Sequence, residues 1–180
     1  RTGNSGNSTV GMTGGTLLGN GSCTVTVTVY GTTEGVYNNT TGNITTTASG
    51  TGQPATATLT VLTPFTAAKT FSPGTVNVAP DNTTLTITLT NPNASTAVTG
   101  IAFTDTYPAN LVNSTPLTTA SSCGGTITAT AGGSSLALSG GTIPAGSSCT
   151  VTITVEATNT ATPKTNPSFV ISSTNDGNAT

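Results

Sequence analysis

Thr83-Thr84-Leu85-Thr86-Ile87-Thr88-Leu89 alternates strictly between apolar and hydroxyl side chains. A period of two places Leu85, Ile87 and Leu89 on one face of an extended strand and Thr84, Thr86 and Thr88 on the other. Threonine suits the outer face, because its β-branch favours extended backbone while its hydroxyl stays solvated. The pattern returns at Val25/Val27/Val29 and at Val151/Ile153/Val155, again with Thr between. Short turns separate such runs: Ser72-Pro73-Gly74, Asn91-Pro92-Asn93, Tyr107-Pro108-Ala109, Gly132-Gly133 and Pro144-Ala145-Gly146. No stretch carries a sustained 3.6-residue apolar period. Many short strands at this spacing predict an all-β, antiparallel β-sandwich.

Working outward, the strand at Val151 belongs to a block that occurs twice. Residues 13–29, from Thr13-Gly14-Gly15 through Cys23 to Val29, recur without a gap as 139–155, from Ser139-Gly140-Gly141 through Cys149 to Val155. The register is 126 residues, the interval between Cys23 and Cys149. After a one-residue slip, Asn39 falls on Asn166 and Ile44 on Ile171. The chain therefore reads as a window on a tandem array. Residues 1–62 are the C-terminal half of one repeat, and 63–180 are a second repeat lacking its last strand. Neighbouring copies are expected either to follow in one polypeptide or to complete each other by strand exchange. The Leu62-Thr63-Pro64 junction is short and contains proline, which predicts a stiff connection.

Three cysteines are an odd number for a secreted chain, and the repeat accounts for them. Cys123 and Cys149 lie in one unit, beside Gly/Ser-rich turns, and are suited to a disulfide closing a loop of about 25 residues, worth ~3 kcal/mol in the chain-entropy description. Cys23 corresponds to Cys149, and its partner would fall outside the chain, about four residues before Arg1. The alternative is three free buried thiols, since spacing alone does not prove a bridge. A bridge implies an oxidising compartment.

Charge excludes several function classes. Only 4% of the 180 residues are charged, against roughly 25% in ordinary globular proteins, and histidine is absent. Arg1, Lys69 and Lys164 are too few and too scattered for a nucleic-acid footprint. The acids Glu34, Asp81, Asp105, Glu156 and Asp176 form no pair in sequence, so an enzyme is not expected. Neither a metal site nor a cofactor is expected. No apolar run approaches the ~20 residues of a membrane span. The Thr arrays of the strands are read as solvated outer faces rather than as an ice-binding plane.

The segments Lys69-Thr70-Phe71-Ser72-Pro73, Leu85–Asn93, Phe103-Thr104-Asp105-Thr106-Tyr107-Pro108, Cys123-Gly124-Gly125 and Ser148-Cys149-Thr150-Val151, in that order, resemble the DUF11-type bacterial surface repeat in its cysteine-containing branch. The resemblance covers nearly the whole chain. It implies immunoglobulin-like modules of long secreted or wall-associated proteins, many without an assigned activity. The expected function is a repeat unit of an extracellular filament or stalk, whose partners are copies of itself. The alternative is a spacer in a cell-surface adhesin whose binding tip lies elsewhere.

Related pilin and adhesin sandwiches carry internal isopeptide bonds that join a first-strand Lys to a last-strand Asn beside a buried acid. By that resemblance Lys69, Asn166 and Asp105 are the candidate residues. The chemistry asks for a neutral amine as nucleophile and a protonated acid that polarises the Asn carbonyl, and burial favours both. Lys69 among Phe65, Ala67, Ala68 and Phe71 calls for a partner in any case. The plainer alternatives are a lysine that points outward, or a salt bridge to Asp105.

Overall fold

The computed structural model describes residues 6, 8–159, 164–176, 178 and 179, and holds no helix among them. The strands, in chain order, are β1 (Gly35–Thr40), β2 (Thr45–Thr46), β3 (Gly50–Thr51), β4 (Thr56–Val61), β5 (Thr66–Ser72), β6 (Asn82–Thr90) and β7 (Val98–Thr106). They continue with β8 (Leu111–Asn113), β9 (Thr119–Ser121), β10 (Thr126–Thr128), β11 (Ser135–Ile143), β12 (Ser148–Ala157), β13 (Ile171–Ser172) and β14 (Asn178–Ala179). All the strand pairs are antiparallel. The chain divides into two compact units, Arg1–Gly31 and Thr32–Thr180.

Two five-stranded sheets make up most of the second unit. One runs β5-β6-β12-β8, with β9 also on β12; the other runs β10-β11-β7-β13-β14. The alternation read from Thr83–Leu89 holds in detail. Leu85, Ile87 and Leu89 are fully buried, and across the ladder so are Val151, Ile153 and Val155. The second sheet contributes Ile101, Phe103, Leu136, Leu138, Ile143 and Ile171 to the same apolar cluster. Each such side chain contributes about 1.5–3 kcal/mol on burial. Outward positions on the first sheet form uncharged rows, such as Thr70, Thr86 and Thr152.

Cys123 and Cys149 form a disulfide, Cα–Cα 5.1 Å, with both residues buried in the apolar cluster. Cys149 lies in β12 opposite Leu89, and the Cys123 carbonyl accepts the Thr142 N–H from β11 (2.8 Å). The bridge thus ties a strand of the first sheet to a loop held by the second. The chain passes close here. A Cβ on Gly125, which sits at φ 71°, would lie 2.5 Å from the Ser139 carbonyl oxygen. A side chain at that position would displace backbone.

The first unit departs from the sequence reading. Thr24–Val29 repeats the sequence pattern of β12, yet no strand is assigned there among the described residues. Val25, Val27 and Val29 are 44–68% exposed, whereas Val151, Ile153 and Val155 are at most 1% exposed. The reason is pairing. β12 is laddered to β6 on one edge and to β8 and β9 on the other. Among the described residues no partner strand is laddered to Thr24–Val29. An alternating sequence makes a strand only where another backbone takes up its N–H and C=O groups. Cys23 is an exposed free thiol.

Candidate functional site: Lys69, Asp105 and Asn166

β5 is an edge strand whose alternation turns Ala67, Lys69 and Phe71 inward and Thr66, Ala68, Thr70 and Ser72 outward. Lys69 therefore faces the core, and its side chain is 17% exposed. Asp105 faces the same interior from β7, the central strand of the other sheet, and is 1% exposed. Asn166 comes from the segment that leads into β13, and β13 pins that segment to β7 through Ile171 opposite Phe103.

The three side chains meet at one carboxylate. Lys69 Nζ lies 3.0 Å from Asp105 Oδ1, and Asn166 Nδ2 donates to Asp105 Oδ2 at 2.8 Å. Lys69 Nζ also donates to the Pro167 carbonyl, the residue after Asn166. Phe169 covers the amine, with its ring centroid 4.5 Å from Nζ, and leans on Phe103 at 5.0 Å. A cation over an aromatic face is attracted by the ring quadrupole, more strongly where water is excluded.

Desolvation makes this cluster obligatory as a set. A carboxylate at the depth of Asp105 is tolerable only with its charge paired and its lone pairs occupied, and Lys69 and Asn166 supply both conditions. One atom is left out. Asn166 Oδ1 is buried and accepts no hydrogen bond. An orphaned buried acceptor costs about 1–3 kcal/mol, so the site holds the amide of Asn166 against an adverse term.

The salt-bridge alternative and the cross-link reading share Lys69 and Asp105, and that ion pair is present. The outward lysine is not observed. Sequence reasoning missed Phe169 and the Pro167 carbonyl. The signal for Phe169 was scarcity, since a phenylalanine three residues beyond Asn166 is one of only four in the chain. Further along the same wall, the Tyr107 hydroxyl donates to Asn113 Oδ1 at 2.9 Å. Burial, seconded by the Asp105 charge, raises the Tyr107 phenol well above its ordinary value. Among the described residues no group of three or more Cys, Asp or Glu could hold a metal ion.

A family model described as a domain of unknown function, DUF7933, matches residues 1–61 and 65–180. The chain belongs to that family. In this DUF7933 member the two matched segments are separated by Leu62-Thr63-Pro64. No curated protein matches the chain.

Proposed function

We propose that this chain is a non-enzymatic, extracellular structural segment of a bacterial surface filament or stalk. It is built from immunoglobulin-like β-sandwich repeats in tandem: 1–62 the end of one and 63–180 most of the next. In this reading each unit is stapled by a disulfide and locked by an isopeptide bond. The DUF11-type motifs support the surface-repeat assignment, and the two separately matched segments support the repeat boundary. An oxidised Cys123–Cys149 pair is compatible with an extracellular location.

One observation carries the lock: Lys69 and Asn166 sit on opposite oxygens of the same buried carboxylate. The reaction balances with no added reagent. The Lys69 ammonium passes a proton to Asp105 over their 3.0 Å contact, which leaves a neutral amine. That amine attacks Asn166 Cγ, Asp105 returns the proton to the departing nitrogen, and the proton that Nζ sheds as the amide forms passes through the carboxylate to the released ammonia. A Lys69 Nζ–Cγ Asn166 amide forms, the C–N bond of the Asn166 carboxamide breaks, and one ammonium ion leaves. The product contains no buried lysine charge.

Intact-mass measurement of the reduced protein tests this directly. The wild type should be lighter than its sequence by one ammonia, and Lys69→Ala should have its full sequence mass. A wild-type chain at full mass sinks the lock.

A further inference from the structure

The Asn91-Pro92-Asn93 turn does more than reverse the chain. Asn93 is fully buried, and its carboxamide grips both backbone groups of one residue, Thr63. The Thr63 N–H donates to Asn93 Oδ1 at 2.7 Å, and Asn93 Nδ2 donates to the Thr63 carbonyl at 2.9 Å. A side chain here stands in for a strand partner. Asn91, also buried, fixes that carboxamide: its Oδ1 accepts from Asn93 Nδ2 (2.8 Å) and from the Asn93 N–H (3.0 Å). Asn91 Nδ2 in turn donates to the carbonyls of Thr96 (2.8 Å) and Pro144 (3.1 Å).

Two acids pin the flanks. The Phe65 N–H donates to Asp176 Oδ2 at 2.9 Å while the Phe65 ring is buried in the core. The Ala94 N–H donates to Glu34 Oε1 at 3.2 Å, and Glu34 directly precedes β1. β1 and β4 form a hairpin, Gly35 opposite Val61, so Glu34 and Thr63 flank its two ends. Both sides of the hairpin base are thereby tied to one loop by three hydrogen bonds, of which the Ala94 N–H to Glu34 one is charge-assisted.

We infer that the Asn91–Ala94 loop, with Asp176, is a docking seat for the C-terminal hairpin of the preceding repeat, holding consecutive repeats in one fixed orientation. The identity of that partner rests on the tandem reading above; the pinning itself rests on the contacts. A stalk gains stiffness from such a seat without a large apolar interface, which a chain with an exposed Val36, Tyr37 and Leu59 on this hairpin does not offer.

The test is backbone NMR relaxation and amide exchange on the whole chain. In the wild type, residues 35–40 and 56–61 should tumble with 82–90, and the Thr63, Phe65 and Ala94 amides should be protected. Asn93→Ala should speed Thr63 exchange roughly tenfold and free the hairpin, leaving 148–157 unchanged. Because Asn93 is buried, the combined variant Glu34→Ala/Thr63→Pro is the companion: it deletes two of the seat's bonds from the exposed side and should also loosen the hairpin. A hairpin that tumbles independently in the wild type, or stays coupled in folded variants, overturns the seat. Electron micrographs of the native material separate the two ideas. Beads at constant angles support both, beads at random angles overturn the seat alone, and an absence of beads overturns the tandem reading and the named partner.

Discussion

At the residue scale, Asp105 and Tyr107 carry opposite burdens two positions apart on the same strand end. Asp105 is charged and deep, so replacing it with Asn leaves Lys69 without its counter-ion and removes the carboxylate that holds both Lys69 and Asn166. We expect Asp105→Asn to hold its full sequence mass and to lose about 3–5 kcal/mol, read by denaturant unfolding. A D105N protein that still sheds ammonia would remove the carboxylate from the chemistry. Tyr107 is neutral and deep, and its phenol is raised by burial. The folded state therefore holds the phenolic proton more tightly than the unfolded chain does. The resulting stability is complete below the ordinary phenol value of about 10 and is lost as pH climbs from there toward the folded value. Thermal unfolding between neutral and strongly alkaline pH should show a decline that is shallower in Tyr107→Phe. Equal slopes in the two proteins would count against that assignment. Scarcity could have singled out Phe169, but its place over the amine and the stranded Asn166 Oδ1 were not legible in the sequence, because both depend on where the segment before β13 lies. No local pattern encodes that.

At the element scale, alternation was readable where both ladder partners exist and misleading where they do not. Leu85, Ile87, Leu89, Val151, Ile153 and Val155 are buried as their period of two demands. Val25, Val27 and Val29 obey the same period and stay exposed, since hydrophobic pattern states which face would be buried but not whether another strand is there to bury it. Amide exchange should separate the twins. The amides of 150–155 should be protected to near the global unfolding limit, and those of 24–29 should exchange at rates close to an open chain. Comparable protection in both segments would contradict the pairing argument. The Cys123–Cys149 staple was legible because both residues read as lying in one unit, beside Gly/Ser-rich turns. Replacing both with Ala should cost about 3 kcal/mol by chain entropy, measured as a loss of unfolding free energy. A change near zero would mean the loop is already ordered without the bridge.

At the scale of the whole molecule, the scarcity of charge becomes a property. With 4% charged residues and its one described ion pair shielded in the interior, the protein has little on its surface for salt to screen. Its melting temperature should be nearly flat from low salt to about 1 M sodium chloride. A strong salt dependence would reveal surface electrostatics that this composition does not supply. The two large sheets could be read from alternation and turn chemistry, whereas their strand order could not, because β5, β7 and the segment carrying Asn166 are brought together across long separations. The proposed lock makes residues 69 to 166 one covalent loop around most of the core. Digestion of the unfolded, reduced protein followed by fragment sequencing is the most direct test of the account. It should yield a branched peptide in which the side chain of Lys69 is joined to that of Asn166, absent from Lys69→Ala. Recovery of both residues only in separate linear peptides would contradict it.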